Sequence, residues 1–169
     1  MLTQEQDISR RNWVPPRWVP ISSSVLCVII LIDSAYLTWA HFTSPRILAC
    51  VTTGIFNCGA VTTSSYSHPF GVPVVLPGLA WSIAMLALCS PRGWRSLSLW
   101  PGRLRLAGCV AGLGMVFWLV YVELFKLDRV CEYCTVIHIM TVALFVVVVL
   151  GTALATPAGL DEPDPDGSL

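Results

Sequence analysis

The chain has 169 residues, of which 55% are hydrophobic and only 12% charged, and its ten Lys and Arg balance its ten Asp and Glu. A mean hydropathy of +0.71 excludes a water-soluble domain of this size, because too few polar side chains remain to cover one. With a net charge of +0 and no basic arm carrying interleaved aromatics, no nucleic-acid partner is expected.

Residues 1–20 are an N-terminal segment holding Arg10, Arg11 and Arg17. Four apolar runs follow: Ile21 to Phe42, Val72 to Cys89, Leu106 to Phe125 and Val136 to Leu154. Each approaches the roughly 20 residues that a bilayer core requires. Backbone polar groups cannot stay unpaired in lipid, so each run is predicted to be a helix. The expected fold is all-α and integral to the membrane: a four-transmembrane-helix bundle over residues 21–155. The second run is the shortest. The first starts too late and is too long for a cleavable signal peptide, so it is expected to stay as an anchor. Residues 156–169, with Asp161, Glu162, Asp164 and Asp166 among prolines, are expected to be a disordered acidic tail.

Lys and Arg are unevenly spread over the connections. Arg92, Arg95, Arg103 and Arg105 fall between the second and third runs, whereas Arg46, Lys126 and Arg129 are scattered elsewhere. The positive-inside rule therefore puts both termini and the Arg92 to Arg105 connection in the cytoplasm. This topology, reached without the cysteines, puts Cys50, Cys58, Cys131 and Cys134 together on the extracytoplasmic side, where disulfides persist. Cys27, Cys89 and Cys109 fall within or at the ends of spans and read as small core residues.

Between the first two runs, Cys50 and Cys58 are separated by seven residues, a spacing that suits a loop disulfide. The stretch Gly59 to Tyr66 is predicted to form a short interfacial helix with hydroxyls on one side, broken at His68-Pro69. Before the last run comes Cys131-Glu132-Tyr133-Cys134. Such a pair closes a disulfide with little backbone movement, and the positive end of the following helix favours the thiolate. Four cysteines allow three complete pairings, which the sequence leaves open. A relay would use more than one of them.

Together the Cys-x7-Cys loop, Ser64 six residues past Cys58, and the Cys-x-x-Cys opening the last helix resemble vitamin K epoxide reductase and its bacterial homologues. Asp33 to Trp39 and Val122 to Phe125 also look like bacterial members, and the likeness runs from about Ser22 to Leu154. The resemblance implies a four-helix bundle around a quinone, menaquinone or ubiquinone, near the outer surface of a plasma membrane. It implies that Cys50 exchanges disulfides with a thioredoxin-like (DsbA-like) protein, that Cys58 passes electrons to Cys131, and that Cys134 meets the quinone. It further implies that Ser64 hydrogen-bonds a quinone carbonyl. No fused thioredoxin-like domain is expected, so the partner would act in trans. His138, four residues past Cys134, stands where vertebrate members have tyrosine; it is expected in the pocket as a hydrogen-bond or proton donor. Quinone reduction is thus the expected reaction, in preference to epoxide reduction.

Blander readings stand beside these. The four cysteines could bind zinc, although Cys50 and Cys58 are widely spaced for a knuckle; Cys50 and Cys58 could be a plain staple. The chain would then be a non-catalytic metal-binding or assembly module. A DsbB-type disulfide oxidase would carry its Cys-x-x-Cys in the first outer loop, whereas here it lies in the second. Ser64 could be a simple cap, His138 a satisfied bundle histidine, and Asp33 a structural acid. Glu123 is expected to snorkel, His41 and His68 to be interfacial, and Trp13, Trp18, Trp39, Trp94 and Trp100 to form an aromatic belt.

Overall fold

A computed structural model describes residues 13–44, 50, 55–68, 71–96 and 99–157. The N-terminal segment before residue 13 and the acidic tail beyond 157 lie outside the described residues.

Helix α1, Trp18–Thr43, tolerates Pro20 because the first-turn N–H groups have no helical partner to lose. Its hydroxyls turn back on their own helix: Ser24 donates to the Pro20 carbonyl at 2.6 Å and Thr38 to that of Ser34 at 2.7 Å. Polar side chains are thereby satisfied in an apolar setting. Helix α2, Cys58–Thr62, and a 3-10 turn, Ser65–Ser67, follow. The expected interfacial helix is thus broken at Thr63, where successive hydroxyls bond back to carbonyls of the same segment.

Helix α3 covers Val75–Cys89, starting later than the apolar run because Val72 precedes a proline and is held out of helical geometry. Gly71, at φ +79°, makes the reversal before it, a conformation that favours glycine. Helix α4, Pro91–Trp94, is capped by the Ser90 hydroxyl, which accepts from Gly93 N–H at 3.2 Å. Helix α5, Leu99–Val122, runs into a π-helical turn, Glu123–Leu127. Helix α6 covers Glu132–Ala153.

Three helical stretches, Trp18–Thr43, Trp100–Leu127 and Glu132–Ala153, are long and apolar enough to cross a bilayer. α3 has 15 residues, or roughly 22 Å at the α-helical rise, against a core of about 30 Å. α1 packs on α3 and α6, and α5 packs on α6 and α3, closing a ring of four helices. Large side chains such as Ile32, Phe117, Phe125 and Ile139 point outward, as lipid requires and water would penalise. Gly112 lets α5 approach α3, since a Cβ there would meet the Trp81 ring at 2.6 Å. A two-residue antiparallel pairing, β1 (Trp13–Val14) with β2 (Thr156–Pro157), joins the segments that precede α1 and follow α6 at one end of the bundle.

α5 begins seven residues before the expected start at Leu106, so Arg103 and Arg105 are helical instead of lying in a connection. Arg105 is only 3% exposed. Its Nε donates to the Leu88 carbonyl and its Nη2 to that of Gly93, each at 3.2 Å, and the guanidinium lies 3.5 Å over the Trp94 ring. Those carbonyls end α3 and α4 and have no helical donor. Trp94 is therefore not part of an aromatic belt. It is buried and donates from Nε1 to Ser23 Oγ at 3.1 Å, whereas Trp18, Trp39 and Trp100 are exposed. Cys27, Cys89 and Cys109 are buried in the same core cluster as Trp94. Arg105→Met should lower the stability of the detergent-solubilised protein by about 2–3 kcal/mol, because buried acceptors lose a charged donor. Arg105→Lys should recover only part, since an ammonium lacks the fork that reaches both carbonyls. Thermal unfolding of the three proteins would check this.

Candidate active site

The site lies at the opposite end of the bundle from the paired termini. Asn57 caps α2, its side chain accepting from Ala60 N–H at 2.9 Å, and this starts the helix at Cys58. Just before it, Phe56 forms a parallel bridge with Val130: Val130 N–H donates to Ile55 at 2.9 Å and Asn57 N–H to Val130 at 3.1 Å. Two backbone hydrogen bonds thus bring Phe56, two residues before Cys58, alongside Val130, the residue before Cys131. Cys58 and Cys131 fall in one buried cluster with Leu37, Ala40 and Val61, and Cys50 and Cys134 pack against it. Cys50 and Cys58 are joined in a disulfide, with Cα atoms 6.1 Å apart. Cys131 and Cys134 are free thiols.

Cys131 is the N-cap of α6, and its sulfur accepts from Cys134 N–H at 3.4 Å. The Cys134 thiol, donating to that sulfur, holds Cys131 below the ordinary thiol range; burial opposes the effect, and backbone N–H groups of the first turn assist it. Cys131 is fully buried, whereas Cys134 is half-buried and faces a different space.

That space is a cavity of about 280 Å³ between the helices. Four helical stripes form its walls: Ile30, Ser34, Leu37 and His41 from α1; Val75, Gly78 and Trp81 from α3; Gly112, Met115, Leu119 and Val122 from α5; Cys134, Ile137, His138 and Thr141 from α6. Each stripe repeats at three- or four-residue intervals, so one face of each helix turns inward. Ser64, Thr62 and Ser67 line the cavity from the loop side, and Glu123 from the π turn. His138 Nε2 and His41 Nδ1 are buried without a hydrogen-bond partner, which is costly unless something else supplies one.

Cys50, Cys58, Cys131 and Cys134 therefore come together, and Ser64, His138 and Cys134 share the cavity. The Ser64 hydroxyl donates to the Val61 carbonyl at 2.9 Å, so in this conformation its oxygen is left to accept. Glu123 does not snorkel: it is 4% exposed and borders the cavity. His41 also turns inward, its ring 5.6 Å from that of His68. The signal for His41 was its place on the Ile30, Ser34, Leu37 face. Asp33 lies off that face, with Oδ2 buried and unpartnered.

A disulfide and a dithiol in one buried cluster exchange electron pairs by thiolate attack, and the bundle that holds them is apolar on its outside. These features define a membrane thiol-disulfide oxidoreductase. Residues 22–149 match the model of the Vitamin K epoxide reductase family, and the chain belongs to that family. Quinones and thioredoxin-like partners are the family's general redox counterparts. The cavity's lining is mostly apolar, and His41 and His138, each with a buried ring nitrogen that has no hydrogen-bond partner, are among the residues that line it, a chemistry compatible with a flat apolar ring bearing carbonyl oxygens.

Proposed function

We propose that this chain takes two electrons from a reduced thioredoxin-like protein acting in trans and passes them through Cys50/Cys58 and Cys131/Cys134 to a quinone, menaquinone or ubiquinone. The reaction would support disulfide formation outside the cytoplasm. The observation that carries this reading is the division of the inner pair: Cys131 is buried beside Cys58, while Cys134 lines the cavity with His138. Cys50 opens the relay by exchanging with the partner, and the freed Cys58 thiolate attacks Cys131, releasing Cys134 toward the cavity. Each step breaks one S–S bond and forms another, so electrons move in pairs. A bound quinone would supply the final two-electron sink; His138 would orient it through Nε2, and Ser64 would join only by turning its hydroxyl away from the Val61 carbonyl.

The pairing of the segments before α1 and after α6 supports an even number of crossings, with α3 and α4 together as the second. With Arg-rich cytoplasmic connections, both termini are inside and the relay is outside in the plasma membrane.

The test is quinol formation from a small dithiol by the purified protein in detergent. Failure with several quinones, in folded protein that binds zinc, would replace this reading with the metal-binding or assembly module. His138→Leu should raise the KM for quinone about tenfold while leaving partner exchange intact, because it removes a ground-state hydrogen bond from the cavity. Steady-state titration with quinone would read this.

A further inference from the structure

The relay leaves Glu123 without a task. A carboxyl group 4% exposed within an apolar bundle is costly to bury and calls for a reason. Local structure aims it. Glu123 begins the π turn, a form of helix that recurs at functional sites. The turn closes at Asp128, whose φ of 47° is left-handed, and the Glu123 carbonyl accepts from Arg129 N–H at 3.1 Å. The chain thereby doubles back, and Cys131 N–H meets the Glu123 carboxylate. On its other side the carboxylate borders the cavity lined by Cys134 and His138. Glu123 thus touches both the dithiol segment and the space reserved for the acceptor.

We propose that Glu123 carries a proton from the dithiol to the electron acceptor: its carboxylate takes the proton of Cys134 Sγ and returns it to one oxygen of the quinone. This inference rests on the relay proposed above. As Cys131 and Cys134 form their S–S bond, two electrons and two protons leave the pair, and the quinone gains both to become quinol. One proton travels by way of Glu123. The other has already been lost from Cys131, whose thiolate the Cys134 thiol and the first-turn N–H groups favour, and the second quinone oxygen takes up an equivalent proton from solvent. The titratable groups facing Glu123 are Cys131 and Cys134, which lie in its field, and His138 across the cavity; Asp33 of α1 acts on the same Cys134.

Glu123→Gln keeps an oxygen for the Cys131 N–H but cannot carry a proton. Quinone reduction by a small dithiol should fall about 100-fold, and the acidic limb of the wild-type pH–rate profile should disappear. Glu123→Asp should restore part of the rate and keep the limb. A second readout needs no quinone: the reduced-minus-oxidised ultraviolet absorbance of the thiolate, followed against pH. Loss of a neighbouring negative charge should move the Cys131 midpoint about one unit to lower pH in Glu123→Gln. Wild-type rates with an unchanged acidic limb in Glu123→Gln, or an unmoved thiolate midpoint, would overturn the proton role while leaving the relay standing. Wild-type protein unable to reduce any quinone would instead remove the relay, and the proton role with it.

Discussion

Cys134→Ser should reduce quinone turnover by about 10³-fold or more with any thiol donor, protein or small molecule. Cys134, and not Cys131, lines the cavity, so no other member of the relay is placed to deliver electrons there. Serine preserves the size of the side chain and leaves the helix cap at Cys131 in place, so loss of turnover reports lost chemistry and not lost structure. The variant should still accept electrons from its donors once. Before any donor is added, the Cys131 thiolate can attack the Cys50–Cys58 disulfide at Cys58, freeing Cys50, so part of the protein should carry a Cys58 to Cys131 link; the one electron pair then accepted from a donor should leave Cys50, Cys58 and Cys131 all reduced. Non-reducing peptide mapping would detect that link, and quinol absorbance would follow turnover. Persistent turnover in Cys134→Ser would exclude this residue as the terminal donor.

Cys50→Ala should separate the two donors. With the thioredoxin-like protein, turnover should fall by about 100-fold or more, because a folded partner cannot reach the fully buried Cys58 or Cys131. With a small dithiol, turnover should stay within about threefold of wild type, since such a donor can reduce the inner pair directly. Equal loss with both donors would mean that Cys50 and Cys58 form a structural staple, not a shuttle. Rates with each donor at matched quinone concentration decide between the two.

Much of this site is legible in the residues taken one after another. The Cys-x-x-Cys sits at the start of a long apolar run, and the structure keeps it there, with Cys131 as the cap of α6. The pairing of Cys50 with Cys58 follows a spacing that suits a loop disulfide, although the spacing alone left three pairings open. His138 follows Cys134 by one helical turn, so a shared face was expected, and both line the cavity. The helix limits were less legible. Arg103 and Arg105 read as part of the connection before the third apolar run, yet both are helical, and Arg105 is taken inside by the free carbonyls of Leu88 and Gly93 and by the Trp94 ring.

Glu123 and His41 show the same limit from the functional side. An acid near the end of an apolar run reads as a group reaching for water, because a single-helix view offers no buried partner. The π turn and the reversal at Asp128 supply one by bringing Cys131 N–H back to the carboxylate.

An apolar helical protein with two cysteine pairs predicted on one side of a membrane is legible from the residues alone. Hydropathy, charge bias and cysteine spacing are sums over neighbouring residues and need no knowledge of what packs on what. Which thiol faces the cavity, the burial of Trp94 and Arg105, and the inward turn of Glu123 and His41 emerge once the helices pack. Those outcomes depend on how α1, α3, α5 and α6 are rotated against one another, and that rotation is set by contacts between residues far apart in the chain.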